Sequence, residues 1–152
     1  YETRIINGIL QIKANSAMLG YLNASSPFTD DGWFITGDEV LTKGEYIKVL
    51  GRKSEIINIG GEKVFPQEVE NVILELEDVI DVEIYGESNT ITGRIVCAKI
   101  LTDSDSNRKL LKKKIIKHCK NKLESFKIPI KFVFEKNILY SKRFKKKRKI
   151  VN

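Results

Sequence analysis

Residues 51–70 read GRKSEIINIGGEKVFPQEVE, and the fold class turns on what changes across this stretch. Pro66 suits the first position of a helix, where a missing N–H costs nothing. Val69, Val72, Ile73 and Leu76 follow it at i, i+3, i+4 and i+7 along one face. Upstream the signals are those of strands. Residues 8–14 (GILQIKA) alternate apolar and polar, Asp30-Asp31-Gly32 is a turn signal, and Trp33-Phe34-Ile35 is aromatic and β-branched enough to start a strand. A hairpin follows, from Glu39-Val40-Leu41 through a Lys43-Gly44 turn to Glu45–Leu50. Downstream of Pro66 the periods mix. Residues 79–85 (VIDVEIY) and 94–101 (RIVCAKIL) read as strands flanking a polar turn with Asn89 and Gly93. Leu110, Leu111, Ile115, Ile116, Cys119 and Leu123 make a helical stripe with lysines opposite, and Ile130–Phe134 is a last strand. The expectation is α+β: a β-rich strip over 1–51, then a domain over 52–152 with the order helix, strand, strand, helix, strand, its helices packed on a short mixed sheet.

Composition narrows the class further. A chain of 152 residues with 41% hydrophobic content can bury one modest core or two small ones. No apolar run approaches the ~20 residues a membrane helix needs, and residues 1–30 lack a basic start followed by an apolar core, so neither a membrane span nor a secretory signal is read here. Cys97 and Cys119 have no CxxC spacing and only His118 nearby, which argues against a metal site or disulfide framework and for a reducing, cytoplasmic setting. The formal net charge is +7, yet residues 136–152 alone hold eight cations and no acid. Without them 19 cations face 20 acids, a net of −1, so the basicity belongs to the tail.

Conventional catalytic signatures are missing. There is no GxxxxGK[ST] phosphate loop, no HExxH and no GxSxG, and the one histidine, His118, lies beside an apolar stripe and reads as structural. Cys97 alternates with Ile95 and reads as core. Three islands stand out instead. The first is Gly32-Trp33-Phe34-Ile35-Thr36-Gly37-Asp38. Asp38 is either a solvated strand end or an acceptor for paired hydroxyls, since a carboxylate presents acceptors only. In the 51–70 island, Arg52 could bridge a hydroxyl and a phosphate or make an ordinary surface ion pair, and Gly60-Gly61 lets backbone approach a thin ligand. The third is Leu139-Tyr140-Ser141-Lys142-Arg143-Phe144-Lys145-Lys146-Lys147-Arg148.

In order and spacing these islands resemble the adenylate-forming enzymes, the family of acyl-CoA synthetases, luciferases and nonribosomal adenylation domains. The first looks like the family's Tyr/Phe-x-Thr-Gly-Asp segment. The second resembles Gly-Arg-x-x-(acid)-x-Ile-x-x-x-Gly-Gly-(x)4-Pro-x-Glu-Val-Glu, and the third a Pro-x-Thr-x-x-Gly-Lys-x-x-Arg ending with Leu139 for the proline, Ser141 for the threonine and Phe144 for the glycine. The resemblance implies that the chain is the C-terminal lid domain of an ATP-dependent acid–thiol ligase plus the end of the large N-terminal domain.

It implies that Thr36, Asp38 and Arg52 sit at the nucleotide, that Gly60 and Gly61 face the thiol tunnel, that Ser54 marks a hinge over 52–54, and that Lys145, rather than Lys146 or Lys147, reaches the reacting carboxylate and α-phosphate. The family's aspartate or lysine at the hinge is Ser54 here, and an ordinary loop residue is the other reading. The implied substrates are a carboxylic acid, ATP with Mg2+, and coenzyme A or a carrier-protein phosphopantetheine; no metal ligand is assigned to this chain. The acyl pocket and phosphate loop would lie upstream, so the chain alone is expected to be inactive. Two other readings stay open: an amino-acid adenylation domain of a nonribosomal synthetase, which a carrier domain would follow, and a non-enzymatic module with a basic tail for nucleic acid or acidic lipid. A chain ending just past the tail favours a freestanding acyl ligase, and few aromatics interleave with the cations, which argues against nucleic acid.

Overall fold

The computed structural model describes residues 1–15, 25–102 and 107–135. Two compact units emerge, Tyr1–Ser54 and Glu55–Asn152, so the division falls at the end of the 52–54 segment. Among the described residues no helix is long and apolar enough to cross a membrane.

The first unit is an antiparallel sheet in sequential order, β1 (Glu2–Ile6), β2 (Ile9–Lys13), β3 (Phe34–Lys43) and β4 (Tyr46–Arg52). Among the described residues of this stretch the regular elements are all strands, in keeping with the β-rich expectation, with two differences. Strand β1 went unread, although Asn7-Gly8, both at positive φ (51° and 78°), is the turn pair that two-residue hairpins favour. Strand β3 is one ten-residue strand rather than two pieces, and its turn to β4 is Gly44-Glu45, since Lys43 pairs with Tyr46. Ile9, Gln11 and Val40 are buried, while Tyr46, Val49 and Leu41 lie exposed.

A cationic brace joins β1 and β2 to Asp31, just before β3. Arg4 donates from Nε to Gln11 Oε1 at 2.7 Å and from its two terminal nitrogens to Asp31 at 2.7 and 3.2 Å, with its guanidinium 4.4 Å from the Trp33 ring centre. Lys13 Nζ donates to the Asp31 carbonyl at 2.9 Å. The Arg4 hydrogen bonds, with a smaller share from Thr29, hold the Asp31 carboxyl down at about 2, against its usual 3.8. A carboxyl lowered on folding adds stability that is complete above its unfolded value and fades as pH falls through the folded one. The thermal midpoint of the first unit, followed by Trp33 fluorescence, is therefore expected to drop between about pH 4 and pH 2, and Arg4→Met should flatten that part of the profile. An equal acid slope in the variant would show that the pair contributes nothing.

In the second unit a short hairpin, β5 (Ile57–Ile59) and β6 (Glu62–Val64), leads into α1 (Pro66–Leu74). The hairpin β7 (Asp81–Asn89) and β8 (Gly93–Leu101) follows, then α2 (Arg108–Lys120) and β9 (Lys131–Glu135). β8 is central, antiparallel to β7 and parallel to β9, so the sheet is mixed, as expected. Parallel pairing needs a crossover long enough to return to the starting edge, and α2 supplies it. Val69 and Ile73 from α1, Leu111, Ile115 and Cys119 from α2, and Val82, Ile84, Val96, Ala98 and Ile100 from the sheet form one core with Ile57 and Val64. Helix α2 ends at Lys120, short of Leu123, which still packs partly buried against that core. Burial pushes the Cys119 thiol up to about 11, as befits a small apolar side chain in a core. The hairpin β5–β6 was unread in the sequence.

Polar groups fix how the layers meet. Glu70 is buried on α1 and its Oε1 accepts the Ile84 N–H at 2.9 Å, fastening the helix to β7. Glu75, one residue past α1, pairs with His118 Nε2 at 2.7 Å and with Lys122, and Lys114 pairs with Asp78. These contacts hold the end of α1 to the far flank of α2 and account for His118 without any catalytic role.

Candidate functional site

The first island forms a bulge in the middle of a sheet. Strand β2 is in register with β3 at Gln11–Ile35 and at Ile9–Glu39, so Leu10 alone faces Thr36, Gly37 and Asp38. Two extra residues against one strand force the backbone out of its pleat, which increases local twist and re-aims side chains. Gly37 takes φ 77°, a left-handed conformation costly for any residue with a Cβ, which explains its place between Thr36 and Asp38. Thr36 Oγ1 donates to the Leu10 carbonyl at 2.8 Å and accepts the Asp38 N–H at 3.0 Å. A second irregularity, between Glu39 and Val40, adjusts β3 to β4.

Asp38 emerges from this bulge directly opposite Arg52, the last residue of β4. Arg52 Nε lies 3.2 Å from Asp38 Oδ1; the guanidinium side chain is 61% exposed and the carboxylate 29%, so the pair is anchored by strands and partly exposed. The chain leaves the sheet immediately afterwards. Lys53–Glu55 is a single 3-10 turn, with Ser54 exposed within it.

In the second unit Gly60 and Gly61 form the two-residue connection of β5 and β6, at φ 56° and 97°. Both positive values are the pattern of the tight hairpin turn whose twist matches its strands. Among the described residues, chain neighbours aside, no atom lies within 4 Å of where a Cβ would stand on either glycine, and the Gly60 N–H donates to the Thr92 carbonyl at 3.0 Å, tying the loop tip to the β7–β8 turn. The loop is thus bare and held in place, a surface that backbone alone presents.

Of the sequence-predicted residues the structure brings Thr36, Asp38 and Arg52 together in one corner of the first unit, and places Gly60 and Gly61 on a hairpin tip of the second. Lys145, with the rest of 136–152, lies outside the described residues. The sequence reading left out Leu10, whose carbonyl anchors Thr36; 26 positions separate the two, and no local signal could have joined them. Among the described residues no group of three or more His, Cys, Asp or Glu side chains is placed to hold a metal ion.

Residues 68–143, half of the chain, match the family described as AMP-binding enzyme C-terminal domain. The chain belongs to that family. Its relatives extend the likeness beyond the AMP-binding C-terminal domain itself, into the sheet that carries Asp38 and Arg52. A 2-succinylbenzoate–CoA ligase of Staphylococcus epidermidis is 31% identical over 150 residues, covering 95% of this chain and 31% of the relative. A 2-methylpropanoate–CoA ligase of Humulus lupulus is 28% identical over 136 residues, covering 86% and 24%. Among solved structures, the o-succinylbenzoate CoA synthetase of Bacillus subtilis, in complex with an acyl-adenylate intermediate, superposes with a TM-score of 0.81 at 27% identity over 96% of this chain and 29% of that one. The chain therefore spans only about a quarter to a third of the length of these relatives. It pairs an AMP-binding C-terminal domain with a strip of what precedes that domain in them.

Proposed function

We propose that this chain is the C-terminal portion of an AMP-forming acid–thiol ligase, with residues 1–51 closing the large N-terminal domain and 52–152 forming the mobile lid. The observation that carries this reading is the Asp38–Arg52 pair, a carboxylate and a guanidinium 3.2 Å apart on adjacent strands, in a chain matched almost end to end by CoA ligases. The two groups suit a nucleotide in chemistry as well as position. Asp38 accepts from the vicinal hydroxyls of a ribose, and Arg52 offers further donors of its planar fork to a phosphate or ribose oxygen. ATP is the substrate they hold, and its α-phosphate is attacked by a carboxylate oxygen, giving an acyl-adenylate and releasing pyrophosphate. A thiol then attacks the acyl carbon, AMP leaves, and a thioester results.

Each remaining residue takes a part in that sequence. Lys145 draws carboxylate and α-phosphate together as charge shifts between them, which is electrostatic positioning rather than proton transfer. The lid turns about the Arg52–Ser54 segment between the two steps, and the bare Gly60-Gly61 tip lines the path of a pantetheine arm from coenzyme A or a carrier protein. The relatives' names span 2-methylpropanoate and 2-succinylbenzoate, so the acid is assigned as a carboxylic acid and no more closely. Two free cysteines, both buried, fit a parent enzyme working in the reducing cytoplasm.

The test separates part from whole. The purified chain is expected to show no ATP–pyrophosphate exchange with any carboxylic acid, and the full-length parent to show it. In the parent, Lys145→Ala should lower exchange by about 100-fold or more, in line with removal of one charge-stabilising donor, and leave thioester formation from supplied acyl-adenylate nearly intact. Lys146→Ala and Lys147→Ala should behave as the parent. Loss with either neighbour and not with Lys145 would move the catalytic position along the tail; exchange by the isolated chain would refute the division of labour.

A further inference from the structure

Thr36 stands in the segment assigned to the nucleotide, yet its hydroxyl is already committed. A threonine hydroxyl has one proton to give and two lone pairs. The proton goes to the Leu10 carbonyl and one lone pair takes the Asp38 N–H. Both groups lie where the β2–β3 register breaks, with Leu10 alone facing three residues of β3. A partly buried amide or carbonyl left without a partner is expensive, and here one side-chain oxygen bonds one of each at the break. The result reaches Asp38 directly: its backbone nitrogen is held by Thr36, its neighbour Gly37 takes the left-handed turn, and its side chain is aimed at Arg52.

We infer that Thr36 is a positioning residue that acts on the nucleotide only through Asp38, by fixing the bulge from which that carboxylate projects. The inference rests on the nucleotide reading of Asp38 given above. It makes the hydroxyl the essential element of Thr36 and gives its methyl group no role. It also makes the effect of losing the hydroxyl vanish once Asp38 can no longer act.

The test is a double-mutant cycle in the full-length parent, read as KM for ATP and kcat in pyrophosphate exchange. Thr36→Val keeps the shape and removes both hydrogen bonds; it should raise KM for ATP about tenfold, the value of one to two modest hydrogen bonds, with kcat changed much less. Thr36→Ser should match the parent within about twofold. Combined with Asp38→Asn, Thr36→Val should add nothing beyond about twofold. Multiplication of the two effects would overturn the inference in favour of direct contact, as would Thr36→Ser failing as badly as Thr36→Val.

If Asp38→Asn leaves KM unchanged, the nucleotide reading itself has failed. The positioning claim is then decided by amide hydrogen exchange in the 152-residue chain. The Asp38 amide should be slow in the parent sequence and in Thr36→Ser and fast in Thr36→Val, with the Val40 amide, bonded to the Gly8 carbonyl, as an internal control of folding. Equal protection at Asp38 in all three would overturn the claim. Thr36→Ala, read the same way, replaces Thr36→Val if the control amide shows the latter unfolded.

Discussion

Replacing Arg52 with alanine in the full-length parent is expected to lower kcat/KM for ATP in pyrophosphate exchange by about 100- to 1,000-fold, the range seen when one preorganised donor to developing charge is removed. Two losses combine in that figure. The guanidinium no longer meets the ligand, and Asp38, whose carboxylate lies 3.2 Å from Arg52 Nε, loses the group that orients it. Arg52→Lys separates them, because an ammonium supplies charge without a planar fork and a lysine at a bidentate position is not a conservative change. It should recover only part of the loss. Activity of Arg52→Ala within about threefold of the parent, in steady-state exchange at saturating acid, would reduce the Asp38–Arg52 contact to a surface ion pair worth little.

The largest effect on stability is expected at Ile84. Its side chain has no solvent exposure, and it lies in the core shared by both helices and the sheet. Its backbone is pinned on both sides, by pairing with Ala98 across the hairpin and by the N–H bond to Glu70. A site whose walls cannot move inward keeps the cavity that a truncation opens, so Ile84→Ala should cost about 4 kcal/mol, near the top of the range for such changes. Urea unfolding of the second unit, followed by far-ultraviolet circular dichroism, measures it. A cost below about 1.5 kcal/mol would mean that α1 can slide over the gap despite Glu70.

The second unit was easier to read in the sequence than the first, for physical reasons. Val69, Val72, Ile73 and Leu76 repeat at the helical period because one face of α1 is buried, and that period survives any detail of packing. Strand β3 shows the opposite. Its bulge at Thr36–Asp38 shifts the register, so the alternation from Ile35 does not continue to Val40, and one strand read as two. The turns at Asn7-Gly8 and Gly60-Gly61 were visible, but β1, β5 and β6 are each five residues or fewer, too short for a period to announce itself.

At the site, residue types were legible and their partnerships were not. Only through the family resemblance did Thr36-Gly37-Asp38 and Gly51-Arg52 imply a nucleotide. Only the pairing of β3 with β4 reveals that Asp38 and Arg52 are neighbours, and only β2 reveals what Thr36 holds.

The parallel seam between β8 and β9 carries one more implication, for self-assembly. β9 covers the row of amides and carbonyls along Cys97–Leu101, which includes the fully buried Ala98 and Ile100. A polypeptide cut before Lys131 would leave that row as a mostly apolar edge whose one charge is Lys99, with no proline to blunt it, and it could pair with the same edge on another molecule. The last strand therefore works as a cover for this edge against self-association, and the shortest separable form of the domain has to run through Glu135.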